Sequence, residues 1–230
     1  MVQQFNPLEY PPFIGFPKEG LKFLASLKKN NNKEWFDAHK SDYENYIKQP
    51  MHEFIASMAL EFKSWAPEVV ANPKRSMFRI YRDVRFSKDK SPYKTHAAAW
   101  FPYGGESEMS GGFYVHISPT ECMLGGGIWM PPNDYLRRMR EKIAKDHKKF
   151  IAILKNKAFV KECGKLDEEE ILKTMPRGFD PDHPAAHYLK LKSYTAGKSL
   201  PVEKATKKDF MKTAITTYKA MLPLIKFLSE

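Results

Sequence analysis

The feature that most constrains this chain is a double change in its hydrophobic period. Between residues 17 and 66 apolar side chains recur every three or four positions, the spacing of helices buried on one face. Leu21, Phe23, Leu24 and Leu27 form a first stripe, and Trp35, Phe36, His39, Tyr43, Tyr46 and Ile47 a second. Met51, Phe54, Ile55, Met58, Phe62 and Trp65 form the third and clearest. Asn30, Asn31 and Asn32 are a polar break suited to ending one helix and capping the next. Pro50 interrupts the second stripe where it can occupy the first turn of the third helix.

After Pro67 and Pro73 the period becomes two. Phe113, Val115 and Ile117 alternate with Tyr114, His116 and Ser118, as in a strand buried on one side. Met77 to Tyr81, Thr95 to Phe101, Gly112 to Ser118 and Cys122 to Trp129 read as strands, and the short link through Pro119 and Thr120 predicts a hairpin. Gly104 to Gly112 is a polar loop. Beyond residue 132 the helical period returns with Leu136, Met139, Ile143, Phe150, Leu154 and Ala158, and later with Phe210, Ala214, Tyr218, Met221, Ile225 and Leu228 around a kink expected at Pro223. An acidic helix is expected at Asp167 to Thr174 and one more strand at Leu189 to Thr195.

Helix block, strand block and helix block together specify an α+β fold rather than repeated βαβ units. The expectation is a single domain with a mainly antiparallel sheet packed against N-terminal and C-terminal helices. Its parts are an extended arm at 1–16, in which Phe13, Ile14 and Phe16 seek burial, a helical 17–66, a strand-rich 76–130 and a mainly helical 132–230. Composition agrees: 230 residues with 42% hydrophobic and 13% aromatic content exclude a disordered chain. No run approaches the roughly 18 apolar residues of a membrane span. Met1 to Phe13 lacks the basic-then-apolar order of a secretory leader. Cys122 and Cys163 are far apart and in no metal-type spacing, which suits a reducing compartment. A cytoplasmic protein with no membrane partner is expected.

The net charge of +11 is clustered. Lys74 to Lys94 holds eight basic and two acidic residues, Arg137 to Lys161 ten and two, and Lys190 to Lys212 seven and two, so the remainder is net acidic. The last two stretches are Lys-rich and read as solvated helix faces. The first is different. Arg79 to Thr95 reads RIYRDVRFSKDKSPYKT, with Arg79, Arg82, Arg85, Lys88, Lys90 and Lys94 around Asp83 and Asp89. An aspartate between arginines is held ionised and in turn holds the guanidinium forks, which is one way to pre-organise an anion pocket. The plainer alternative is a salt-bridged edge strand whose charges satisfy one another.

The segment RIYRDVRFSKDKSPYK, with GFPKEGLKFLASLKKNNNKEWF before it and MPRGFDPDHPAAHYLKLKS after it, resembles an uncharacterised bacterial and fungal family, domain of unknown function 2461. The resemblance runs from about Gly15 to near the C-terminus. It implies one conserved module and supplies no established catalytic residues.

Other candidates carry less. Asp180, Asp182, His183 and His187 have metal-binding chemistry, but Pro181 and Pro184 favour a rigid turn and no HExxH pattern is present. Gly125, Gly126 and Gly127 can let a backbone approach a phosphate, yet neither nucleotide fingerprint follows, so a bulge or close strand contact is the better reading. These glycines border a possible pocket with Trp129 as its wall and Tyr114 and His116 as polar groups. His96 and His116 are candidates for proton transfer.

Three functions remain in play. The first is binding of an anionic ligand, a phosphorylated small molecule or a nucleic-acid backbone, by Arg79, Arg82, Arg85, Lys88, Lys90 and Lys94 with Trp129. The second is an enzyme acting on an acidic or phosphorylated substrate there, with Asp83, Asp89 or His116 as the acid–base group. The third is a structural framework, with the functional surface elsewhere.

Overall fold

The architecture is α+β, as the period changes require. The computed structural model describes residues 5–105 and 110–229. Helices cover Lys18–Lys29, Lys33–Ala38 and Lys40–Tyr43, and a π-helical turn, Glu44–Lys48, leads directly into Gln49–Trp65. Asn32 caps as expected, its side chain accepting the Trp35 N–H at 2.9 Å. Pro50 lies in the first turn of Gln49–Trp65, where a proline is tolerated.

Four strands, β1 (Ala97–Pro102), β2 (Gly112–Ile117), β3 (Cys122–Ile128) and β4 (Tyr194–Leu200), form an antiparallel sheet in that order. The β2–β3 hairpin is closed by Ser118, whose N–H donates to the Glu121 carbonyl at 2.8 Å while its hydroxyl oxygen accepts the Glu121 N–H. Helices return at Asn133–Lys145, His147–Leu154 and Lys157–Cys163, and the last helix, Phe210–Ser229, contains Pro223.

Several local expectations need correction. Met77 to Tyr81 is not a strand: Met77 bridges Ala99, the chain bends at Ile80, and Tyr81 bridges Tyr93 instead. The strand expected at Leu189 to Thr195 starts only at Tyr194, because Ala186–Leu189 closes a helical turn first. Asp167 to Thr174 is not helical. Four successive carboxylates would repel on one helix; in the bent segment that forms instead, Asp167 accepts the Thr195 hydroxyl, Glu168 meets His187 and Glu170 meets Lys192. In the arm, Phe13 and Phe16 are buried but Ile14 is exposed. Residues 1–4 of the arm and 106–109 of the polar loop lie outside the described residues.

The chain groups into two compact units. The first comprises Met1–Phe101, Tyr114–Leu124 and Ser199–Ile215; the second comprises Pro102–Phe113, Gly125–Lys198 and Thr216–Glu230. In the first, aromatic rings dominate the core: Phe54 lies 5.1 Å from Phe13 and 5.6 Å from Phe210, and Phe62 lies 5.4 Å from Phe101. Gly15 lets the arm approach this core: at φ +116° it brings a notional Cβ within 2.8 Å of the Thr206 carbonyl oxygen. In the second, Leu136, Met139, Ile143, Phe150 and Leu154 are buried with Phe159, which takes the inward place expected of Ala158.

Candidate anion-binding loop

Residues 79–94 lie in the first unit and form a closed loop on a two-rung base. The Arg82 N–H donates to the Pro92 carbonyl at 2.9 Å, and the Lys94 N–H to the Ile80 carbonyl at 2.7 Å, on either side of the Tyr81–Tyr93 bridge. Asn31 holds this base from the helical layer. Its side-chain oxygen accepts the Tyr93 N–H and its amide donates to the Tyr93 carbonyl, both at 3.0 Å, completing what a neighbouring strand would supply. Phe36 stacks on the buried Tyr93 ring at 4.1 Å.

Within the loop each aspartate makes a turn and clasps an arginine. Asp83 accepts the Arg85 backbone N–H at 3.2 Å and takes its guanidinium side-on, through Nε at 3.0 Å and Nη2 at 2.7 Å. Asp89 accepts the Ser91 N–H and hydroxyl and pairs with Arg82 Nη1. The Arg85 clasp and the Ser91 hydroxyl hold the Asp83 and Asp89 carboxyls, respectively, below the usual carboxylate range. Both are therefore ionised and poor bases at neutral pH.

The six cations divide by role. Lys90 Nζ donates to the Val84 carbonyl at 2.9 Å and Lys94 Nζ to the Arg79 carbonyl at 3.0 Å, so both brace the loop. Burial pushes the Lys94 ammonium down, with Arg79 adding to the effect. Arg79 and Lys88 are exposed, and Arg79 adds to the lowering of Asp83 without a hydrogen bond to it. Arg85 is clasped on its Nε–Nη2 edge, leaving its Nη1 N–H groups without a partner among the described residues, whereas Arg82 meets Asp89 through Nη1 alone and its side chain is only 29% exposed. Phe86 projects with 96% of its surface exposed, and the Arg85 guanidinium lies 5.9 Å from its ring centre. A phenylalanine left in water forgoes about 1.5–3 kcal/mol of burial.

Beside the loop, still in the first unit, sits a histidine pair. The His96 and His116 rings are 5.6 Å apart, and Tyr114 lies 5.7 Å from His116. His116 Nε2 is 3.6 Å from Glu121, an ion-pair distance too long for a hydrogen bond, while the Ser199 hydroxyl donates to Glu121 at 3.0 Å. Burial pushes both imidazoles down; His116, Lys94 and Arg82 lower His96 further, while Glu121 partly offsets the fall at His116. Both rings are neutral at pH 7.

The remaining candidates fall elsewhere. Trp129 belongs to the second unit and is 77% exposed. Gly125 to Gly127 are buried; a Cβ on Gly126 would come 2.9 Å from the Gly112 carbonyl oxygen, and one on Gly127 2.0 Å from that of Tyr194. These glycines serve close strand packing. Asp180 accepts the Asp182 N–H, His183 accepts the Ala185 N–H, and His187 meets Glu168, each locally engaged. No group of three or more metal-ligating side chains assembles among the described residues. No helix there is long and apolar enough to cross a membrane.

Sequence reading missed Asn31, Ser91 and Glu121. Asn31 looks like one of three helix-breaking asparagines, and its 62-residue reach to Tyr93 has no local signal. Glu121 is legible only as the partner residue of a tight hairpin.

The protein is thus of the α+β class and carries a clasped Arg/Asp/Lys loop. The chain belongs to the family described as Conserved hypothetical protein (DUF2461), whose model matches residues 19–227. Comparison with curated proteins and with solved structures finds no match.

Proposed function

We propose that the protein binds an anionic ligand, a phosphorylated small molecule or a nucleic-acid backbone, through the loop spanning Arg79 to Lys94. Arg79, Arg82, Arg85 and Lys88 supply the contacts, while Lys90, Lys94, Asp83 and Asp89 set the shape. The observation that carries this reading is the pair of aspartate clasps. Each fixes a guanidinium before a ligand arrives and leaves further N–H donors open, so less side-chain freedom is lost on binding. Six cations against two carboxylates keep the loop strongly positive. Mass spectrometry of ligands retained by the native protein tests it. The same anion is expected with wild type and absent with Arg82→Ala and Arg85→Ala; its retention by both variants rejects the loop as the site.

One observation favours a second reading, an enzyme acting on a phosphorylated substrate. The neutral His96–His116 pair lies beside the cationic loop, and Glu121 faces His116. A neutral imidazole is the competent form of a general base, a role the clasped Asp83 and Asp89 fill poorly. Hydrolysis of a chromogenic phosphodiester, lost in His116→Gln while anion binding persists, supports this reading. Absence of wild-type turnover counts against it.

A further inference from the structure

The loop carries aromatic rings in the same run as its cations. Phe86 projects almost wholly into solvent, and Tyr81 and Phe78 are half exposed. One flank of Phe86 faces the clasped Arg85 guanidinium, so a flat group stacking on its open side would meet a ring and a fixed cation together.

We propose that this loop binds single-stranded nucleic acid, with backbone phosphates on Arg79, Arg82, Arg85 and Lys88 and a base stacked on Phe86. The proposal rests on the anion-binding reading and narrows it. A small phosphorylated molecule needs a concavity that buries most of its surface. Here Arg85 is 76% exposed in its side chain and Phe86 stands clear of the fold, a surface suited to a polymer that many weak contacts can hold. In a duplex the base faces are already stacked, whereas a single strand offers both repeated phosphates and open faces. An acidic peptide matches the charge but not the ring.

Fluorescence anisotropy with the full chain and a labelled oligothymidylate of about 12 nucleotides tests this, beside an abasic strand of equal length, a duplex and phosphatidylserine vesicles. Phe86→Ala is expected to weaken oligothymidylate binding by about 5- to 100-fold while leaving the abasic strand unaffected, and Phe86→Trp to restore it. Arg79→Ala and Lys88→Ala should weaken both strands, each reducing the slope of log affinity against log salt by about 0.7. Because Phe86 supports no packing, the alanine variant keeps the fold, which circular dichroism checks. Equal binding of both strands, independent of Phe86, overturns the proposal and leaves the anion reading standing. Failure of both strands to bind overturns the proposal and confines the anion reading to a phosphorylated small molecule. Tighter, Phe86-dependent binding to vesicles or to the duplex overturns the single-strand assignment.

Discussion

Replacing Asn31 with alanine removes both hydrogen bonds that fasten the loop base to the helical layer. Tyr93 is 3% exposed, so water cannot freely replace the lost partners of its N–H and carbonyl. A typical intramolecular hydrogen bond contributes about 0.5–1.5 kcal/mol, and a buried group left unpaired costs about 1–3 kcal/mol. Two part-buried bonds therefore place the loss near 2–3 kcal/mol. With a urea slope of about 2 kcal/mol per molar, the unfolding midpoint falls by about 1–1.5 M. Asn30→Ala is the matched control: that side chain donates to the Ser26 carbonyl on the exposed end of its own helix, and its loss should shift stability by at most about 0.5 kcal/mol. Asn31→Asp keeps the acceptor for the Tyr93 N–H but sets a carboxylate oxygen against the Tyr93 carbonyl, so its midpoint should fall nearer that of Asn31→Ala than that of Asn30→Ala. Equal midpoints for Asn31→Ala and Asn30→Ala would refute the claim that Asn31 anchors the loop.

Further outcomes follow from packing and protonation. Burial holds His52, His96 and His116 below the ordinary value of 6.5, so the unfolded chain binds more protons as acid is added. Stability therefore falls as pH drops below about 6.5, and His96→Gln or His116→Gln should flatten a plot of urea midpoint against pH between about 5 and 8. Gly127→Ala forces a Cβ against the Tyr194 carbonyl oxygen at φ +132°; strain and overpacking together predict a loss of about 3–5 kcal/mol in thermal denaturation. Gly104→Ala, with open space at φ +77°, should lose only about 1–2 kcal/mol. Burial raises the Cys122 thiol to about 12, so iodoacetamide at pH 8 should leave it unmodified until the protein is unfolded, as peptide mass mapping would report.

The period changes made the fold class legible because burial on one face imposes them: the Met51–Trp65 stripe and the Phe113–Ile117 alternation both became the elements they specify. Failures occurred where tertiary pairing overrode local pattern. Asp167 to Thr174 reads as an acidic helix, yet its carboxylates find better partners on His187, Lys192 and Thr195 in a bent, non-helical form. Met77 to Tyr81 has strand composition but leaves the sheet after one bridge in order to close the loop. The cationic loop itself could be read from composition, since Arg and Asp alternate over a few residues. Its internal wiring could not. Asp83, expected among arginines, is held by Arg85 with Arg79 adding to the effect, but the pairing of Asp89 with Arg82, seven residues away, had no local signal. Such pairings depend on where the chain turns, and Ser91 and Asn31 decide that from outside the charged pattern.

The most direct test of the central claim is an NMR titration of the wild-type protein with tripolyphosphate, following backbone amides and arginine Nε–H resonances. The account predicts the largest shifts at residues 79–94, including the side chains of Arg79, Arg82 and Arg85. They should saturate with ligand and weaken as salt is added. Shifts confined to the Lys-rich helices between residues 137 and 161, with residues 79–94 unmoved at saturation, would contradict it.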